Sequence, residues 1–505
     1  MAVKSVKGAK SAKKQSKLGL ILAVIHLVLT IVCIGFVCIL DLLNPALVAV
    51  IGVVLLLIWL IAFLTQFTRK MHVGGKVLSV IMIVILGVAS YALIQANSLL
   101  DNITGNEYKI DKMVVIVMNN DEAEKLEDAI SYQFGVQTLD AGAEGEKSKK
   151  AIEEIQDRFD TELNTEEYQS MDSLVQALYD GNVQAIIMNE GMRSTIEDHF
   201  EDFSNDTKVL EVIEFKTKVK KARNLDVTKD TFNVYISGID VYGDISTNSR
   251  SDVNIIATVN PKTKQILLTT TPRDYYVTFP DVTGGSKDKL THAGIYGVDC
   301  SMSTLENLYG DIDIDYYVRV NFSGVEDIID AIGGIEVYSE YSFTTHLKPH
   351  YSFSKGYNNM NGAEALGFAR DRKSVPGGER QRGKNQQQVI KGIINKVTSP
   401  AVLANYTDIL DAVGGCVQTN MTDDQLKDLV KMQLSDGAEW NMISLAADGD
   451  GARDYCYSYS GKALYVMYPD YDTITYIEGI MQKVYDGETL TQEDEEGLDN
   501  LSHKN

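Results

Sequence analysis

Hydrophobic and polar positions alternate in two different ways along this chain. Three uncharged apolar blocks come first, Leu18 to Leu40 and Pro45 to Phe67 with 23 residues each and Val77 to Ile94 with 18. Each is long enough to cross a bilayer as a helix. Asn44 stands where a cap is needed and Pro45 at the first helical position, where a missing N–H costs nothing, so the second block is a new helix. A signal peptide followed by buried helices fits poorly, because the first block exceeds an h-region and no small-residue cleavage site follows it. Beyond residue 100 the periods shorten. Met113 to Met118 is a β-branched apolar run, and Asp121 to Ser131 carries helical spacing at Leu126, Ala129 and Ile130. Met171 to Tyr179 predicts a helix, Gly181 and Asn182 a break, and Val183 to Met188 a strand. Residues 108–222 therefore form a small accessory α/β unit, and the polar stretch Lys218 to Asp230 its exit linker.

From Thr231 a second pattern begins. Phe232 to Ile239 alternates, Val253 to Val259 follows as a strand, Asn260 and Pro261 open a turn, and Gln265 to Thr271 returns as the partner strand. Val325, Ile328, Ile329 and Ile332 fall at helical spacing, with Ser323 as the expected cap in front and Gly333 behind. Val389, Ile390, Ile393, Ile394 and Val397 mark another helix, and Thr422 with Gln425 makes a capping box for a third. Residues 231–485 read as one α/β domain, and the acidic, polar stretch 486–505 is expected to be disordered.

Charge follows the same division. Of 47 basic and 70 acidic side chains, nine and one lie in the first hundred residues, leaving 38 against 69 beyond. Lys4, Lys7, Lys10, Lys13, Lys14 and Lys17 precede the first span, and Arg69, Lys70 and Lys76 separate the second from the third. The positive-inside rule makes both segments cytoplasmic, so residues 1–17 form a basic cytoplasmic tail and three spans within 18–100 leave the rest of the chain outside the cell. So acidic an exterior repels nucleic acid. Five cysteines are too few for a disulfide framework; Cys300, Cys416 and Cys456 could form one bridge or stay free.

Candidate chemistry gathers in four short segments: Ser237 to Asp240, Ser249 to Asp252, Pro272 to Asp274, and Phe368 to Arg372 with Arg380, Arg382 and Gln386 beyond it. Taken singly, an Arg beside an Asp is an ordinary surface pair. Gathered in an acidic exterior, these arginines point to an anionic ligand, because a guanidinium fork binds phosphate oxygens in pairs. Two aspartates suit a hard cation held between carboxylate and phosphate. The i, i+2 spacing of Arg370 and Arg372 puts both on one face of an extended segment, with Asp371 opposite.

These segments resemble the LytR–CpsA–Psr family. The matching stretches are Asn233 to Asp240, Arg250 to Thr263, Pro272 to Val277, Lys289 to Gly297, Tyr316 to Val337 and Gly356 to Lys391, in the same order across about 160 residues. The spans and accessory unit are similar to its capsule-assembly subgroup. The resemblance implies an α/β/α domain with a mixed central sheet, whose apolar pocket takes a polyprenyl chain and whose mouth takes the pyrophosphate. It implies Mg²⁺ (or Mn²⁺) on Asp240 and Asp252, and head-group contacts from Arg250, Arg273, Arg370, Arg372, Arg382 and Gln386. Asp240, Asp252 and Arg273 are the catalytic candidates. Asn385 departs from the Arg that many relatives carry, and Lys289 and Asp274 read equally well as a structural ion pair. The implied activity transfers a glycopolymer, capsular polysaccharide or wall teichoic acid, from polyprenyl pyrophosphate to peptidoglycan at the cell membrane. Other capsule-assembly membrane proteins stay open as partners. A lipid-binding regulator and a lipid pyrophosphatase are the alternatives. A chain-length regulator fits less well with three spans and paired Asp and Arg segments, and a transcription regulator needs a cytoplasmic domain.

Overall fold

The structure, a computed structural model, describes residues 17–40, 45–68, 71–103, 108–138, 142–218, 222–239, 245, 247–280, 282–399, 402, 415–459 and 461–502. They form two compact units, the N-terminal helices with residues 427–436, and the remainder from residue 101 onward.

The first unit contains α1 (Lys17–Leu40), α2 (Pro45–Thr65) and α3 (His72–Ile103). All three include stretches long and apolar enough to cross a membrane. Lys76 lies inside α3, which begins earlier than hydropathy predicts; a lysine near a helix end keeps the backbone ladder and extends its ammonium outward. Cys33, Met82 and Leu86 pack between the helices, and the Trp59 indole donates to the Ala23 carbonyl at 2.8 Å. Val24, Val53, Val84 and Val88 stay more than half exposed, a surface that suits hydrocarbon.

The second unit opens with a mixed five-stranded sheet in the order β3-β2-β4-β1-β5, formed by β1 (Tyr108–Met118), β2 (Gln133–Gln137), β3 (Asn164–Tyr168), β4 (Ala185–Asn189) and β5 (Thr207–Lys218). Between the strands run α4 (Leu126–Ala129), α5 (Gly142–Phe159), α6 (Met171–Tyr179), α7 (Arg193–Glu197) and α8 (Phe203–Asp206). The unbroken apolar run of β1 is covered on both faces. Met113, Val115 and Val117 pack with Ile155 of α5, while Val114 and Ile116 pack with Leu174 and Leu178 of α6. Only α4 is helical within 121–131, because Asp121 Oδ1 is taken by the Ala123 N–H at 2.8 Å and the Tyr132 hydroxyl at 2.9 Å, a turn that competes with a helix.

Next come β6 (Phe232–Ile239), β7 (Ser251–Asn260), β8 (Gln265–Thr270), the hairpin of β9 (Tyr276–Thr278) and β10 (Lys287–Lys289), α9 (Leu290–Ala293), α10 (Val298–Leu308), β11 (Tyr316–Asn321) and α11 (Phe322–Ala331). They are followed by β12 (Ile335–Ser339), β13 (Phe343–Thr344), β14 (Ser352–Phe353), β15 (Gly356–Met360), α12 (Gly362–Arg370), α13 (Glu379–Val397), β16 (Val417–Thr419), β17 (Asn441–Ala446), and the hairpin of β18 (Gly449–Asp454) and β19 (Leu464–Pro469). Six strands make the central sheet, β16-β11-β6-β7-β8-β17; β11 runs parallel to β6 and β17 parallel to β8, and the other pairs are antiparallel. One face, through Tyr235, Ile256, Leu267 and Tyr317, joins the core that includes α10 and the helix Tyr471–Asp486. The other face is turned toward α11, α12 and α13. This is the α/β/α layering with a mixed central sheet that the family resemblance implies.

Two expectations are corrected. Helix α11 is capped by Asn321, whose Oδ1 accepts from the Gly324 N–H at 2.8 Å, and not by Ser323, because β11 runs directly into the helix. The stretch from Asp486 onward is not a disordered tail as far as residue 502: Gln492–Ser502 is a helix. Leu490 and Leu498 are buried, Asp494 caps the turn through Thr491 and accepts from Lys483 Nζ at 2.6 Å, and Asp499 pairs with Arg380 at 3.1 Å. Acidic composition reads as disorder only when the cations that answer it, here on earlier helices, are out of view. Residues 503–505 lie outside the described residues, as do residues 1–16 of the basic segment before α1.

Candidate active site

The strand face turned to α11–α13 does not close on those helices. Val234, Ile236, Ala257, Val259, Ile266, Val318 and Val320 from the sheet, Val325 and Ile328 from α11, and Val389, Ile390, Ile393 and Ile394 from α13 line a cavity of about 580 Å³. That lies within the size range of ordinary ligand pockets, ~300–1,000 Å³. Period-2 alternation sorts the residues: Val234 and Ile236 face the void, and Tyr235 between them faces the other core. At one end the lining changes character, and Arg250, Asp252, Arg273, Arg370, Arg372, Arg382 and Gln386 meet there. Seven of the eight candidate residues are thus brought together. Asp240 lies outside the described residues.

A β-bulge places Asp252. Gly238 pairs with Val253 and Ile239 with Ser251, so Asp252 is the extra residue on β7 and leaves the ladder. Beneath it the Tyr235 hydroxyl donates to Asn254 Oδ1 at 2.6 Å, the Ser237 and Ser251 hydroxyls meet at 2.8 Å, and Asn254 Nδ2 donates to the Ser251 carbonyl at 2.9 Å. Every atom of this buried network has a partner, which fixes the bulge. An added Cβ at Gly238 would come within 2.7 Å of the Val253 side chain, so the crossing strand needs glycine there.

The carboxylate of Asp252 is held from both sides. Oδ2 faces Arg273 Nη1 at 2.5 Å and Oδ1 accepts from the Thr291 hydroxyl at 3.0 Å. Burial pushes its pKa up, but Arg273, Arg250 and Arg382 with the Thr291 hydrogen bond outweigh it, and the net value lies below the ordinary 3.8. Asp252 is therefore an anion at neutral pH. Arg382, itself buried, donates to the Asp252 carbonyl at 3.3 Å and pairs with Glu379. Burial lowers the Arg382 pKa, and Glu379 opposes the shift.

Glu379 is the residue that sequence reasoning missed. As the first residue of α13 it lies 3.7 Å from Arg273 Nε and 3.9 Å from Arg372 Nη1 and contacts Arg382, so one carboxylate ties three arginines from three segments. Its only trace in the sequence is an acid in a first helical turn, which the helix dipole explains equally well.

Arg370 and Arg372 do not share an extended strand. Arg370 ends α12 with its guanidinium 4.2 Å from the Phe322 ring centre, and Arg372 lies in the following loop. Asp371 does not turn outward but is buried, accepting from the backbone N–H of His346 at 2.5 Å, of Lys373 at 3.1 Å and of Ser374 at 2.8 Å. Asp371→Ala leaves those donors unmet, and each buried polar group left unmet costs about 1–3 kcal/mol. We expect a clear fall in the chemical-denaturation midpoint; an unchanged midpoint would show that the loop does not depend on this carboxylate.

Arg380 points away from the cavity, to Asp448 at 3.2 Å and Asp499 at 3.1 Å. Asn385 is buried and donates to the Phe368 carbonyl at 3.3 Å, so the departure from Arg falls on a residue that joins α13 to α12 and not on the mouth. Lys289 and Asp274 form an ion pair at 2.5 Å. Cys300, Cys416 and Cys456 are buried, and none of the three is in a disulfide.

The LytR_cpsA_psr family model matches residues 197–468. A polyisoprenyl-teichoic acid–peptidoglycan teichoic acid transferase TagU of Bacillus cereus is 36% identical over 229 residues, 45% of this chain and 73% of the relative. The protein of the same name from Enterococcus faecalis is 37% identical over 222 residues, 44% of this chain and 70% of the relative. Among solved structures, that of B. subtilis TagV is 29% identical, covering 52% of this chain and 99% of TagV with a TM-score of 0.42.

Proposed function

Because the chain belongs to the LytR–CpsA–Psr family, we propose that it transfers a glycopolymer from a polyprenyl pyrophosphate carrier to peptidoglycan. The observation that carries this reading is one cavity with apolar walls and a cationic mouth. An isoprenoid fits the walls, and a pyrophosphate fits five guanidinium groups. The names of the relatives, transferases of teichoic acid to peptidoglycan, support the same reaction class. Wall teichoic acid and capsular polysaccharide are both polymers of the right chemistry.

In this reading the acceptor sugar hydroxyl attacks the phosphorus linked to the glycopolymer. The bond from that phosphorus to the bridging oxygen breaks, a phosphodiester forms, and polyprenyl monophosphate leaves, the hydroxyl's proton passing to that phosphate or to solvent. The arginines at the mouth take up the charge that moves onto the leaving phosphate, and the apolar walls hold the lipid so that the pyrophosphate is aligned. Asp252, with its lowered pKa, is a poor base, so its part is positioning Arg273 and offering oxygen to a cation. A hard divalent cation, Mg²⁺ or Mn²⁺, fits this donor set, an ionised carboxylate beside a phosphate site; Asp252 would hold it, with Asp240 as the second ligand. Such a cation, when bound, neutralises phosphate charge. The three apolar helices would anchor the protein, with the basic segment before α1 cytoplasmic and the catalytic residues outside. The five-stranded layer would be an accessory domain and the layers after it the catalytic domain.

The reaction is tested with the full chain in detergent, a lipid pyrophosphate-linked oligosaccharide and a peptidoglycan fragment. We expect a phosphodiester-linked conjugate and lipid monophosphate by mass spectrometry, with much slower cleavage when acceptor is omitted. Equal rates with and without acceptor would identify a pyrophosphatase; tight lipid binding without turnover would identify a regulator.

A further inference from the structure

The five-stranded layer reaches the pyrophosphate mouth. Asp198, just after α7, lies 2.6 Å from Arg250 Nη1, and Arg250 lines the cavity. The Arg250 side chain is 13% exposed and that of Asp198 59%, so Asp198 meets a largely covered arginine from the more exposed side. The same layer holds the segment leading to Arg250 at three further points. Ile110 of β1 forms a parallel bridge with Thr247. Asp111 Oδ1 accepts from Asn248 Nδ2 at 3.1 Å and from Lys147 Nζ at 2.9 Å, and both Asp111 and Asn248 are buried. A Cβ at Gly191 would stand 2.8 Å from the Asn248 carbonyl oxygen, so the two backbones meet without room for a side chain.

We propose that this layer completes the pyrophosphate site, with Asp198 as a positioning residue that sets the plane of the Arg250 guanidinium. The inference rests on the phosphate-binding reading above. A guanidinium presents its N–H groups in a rigid fork, so a carboxylate fixing one Nη orients the others with respect to a phosphate. Loss of that contact removes one restraint on the guanidinium plane, so the mouth would lose alignment more than charge. Asp198 touches no substrate in this arrangement and acts through Arg250.

The test uses the full chain in detergent, geranylgeranyl pyrophosphate with Mg²⁺ as the binding probe, and the transfer assay for kcat and KM. Asp198→Ala is expected to lower kcat by about 10-fold, within the range of coupling between contacting residues, with an unchanged melting temperature. Asp198→Asn, whose side-chain oxygen still accepts from Nη1, should recover most of that loss. In an Arg250→Ala background, Asp198→Ala should add nothing. The proposal is overturned if Asp198→Ala turns over like wild type, or if its loss is undiminished without Arg250. Those two results, with Arg250→Ala itself strongly impaired, leave the site reading standing. If Arg250→Ala changes neither probe binding nor transfer, the site reading and this inference both fail.

Discussion

Arg382→Ala is expected to slow transfer by about 10²- to 10³-fold, the scale for removing one preorganised charge-stabilising donor. Arg382 is the most enclosed of the cavity-mouth arginines, its side chain 10% exposed, and it links the Asp252 carbonyl to Glu379. Its removal deletes a cation at the mouth and leaves a buried carbonyl and carboxylate short of a donor, so part of the effect will be on stability. Arg382→Lys separates the two. Lysine keeps the charge, and one ammonium can serve the two acceptors that Arg382 Nη2 serves, but it lacks the planar fork that pairs phosphate oxygens. Melting curves measured beside steady-state kinetics should show the lysine variant nearly as stable as wild type yet well below it in kcat. Arg370→Ala should fall by a similar factor, since Arg370 combines cavity exposure with stacking on Phe322. Arg372, half exposed, should lose less. Wild-type kcat in Arg382→Ala would remove the phosphate clamp from the account.

The second large effect concerns the walls. Ala257 lies in the middle of β7, buried, with its side chain on the cavity face between Val234 and Leu268 in neighbouring strands. Ala257→Trp puts an indole into a void of about 580 Å³, where it meets space before it meets a packed neighbour. Overpacking a filled core costs about 1–3 kcal/mol, and this variant should cost less than that because the site is open. We expect a folded protein that no longer retains polyprenyl pyrophosphate through purification, as read by mass spectrometry of extracted lipid, while inorganic pyrophosphate still binds by calorimetry. A variant that keeps its lipid would mean the isoprenoid lies elsewhere.

Strands β1, β4, β6, β7 and β8 were legible because burial on one or two faces leaves a period that any apolar side chain can carry, whereas β2, β3, β5, β11, β16 and β17 were not read from the sequence. Val234 and Tyr235 read alike in that pattern. That one faces a void and the other a packed core depends on how far α11–α13 stand from the sheet, and spacing within a strand holds no trace of that distance. The arginines were legible as a group because their charge opposes the acidic exterior. Their geometry was not. A bulge, a matter of pairing between two strands, aims Asp252, and a helix end, a matter of capping, separates Arg370 from Arg372. Glu379 stayed hidden because an acid at a helix start has a sufficient local explanation. Asp198 lies outside the four segments that drew attention, and only the docking of one layer on another brings it to Arg250.

The central claim is that one cavity holds an isoprenoid while its arginine mouth holds the pyrophosphate. An experimental structure of the full chain with a polyprenyl pyrophosphate and Mg²⁺ tests it most directly. The account predicts isoprenoid density between the strand face of Val234, Ala257 and Val318 and helix α13, with phosphate oxygens within hydrogen-bond reach of Arg273 and Arg382. Lipid bound elsewhere, or phosphates away from these guanidinium groups while the cavity holds only solvent or detergent, would contradict it.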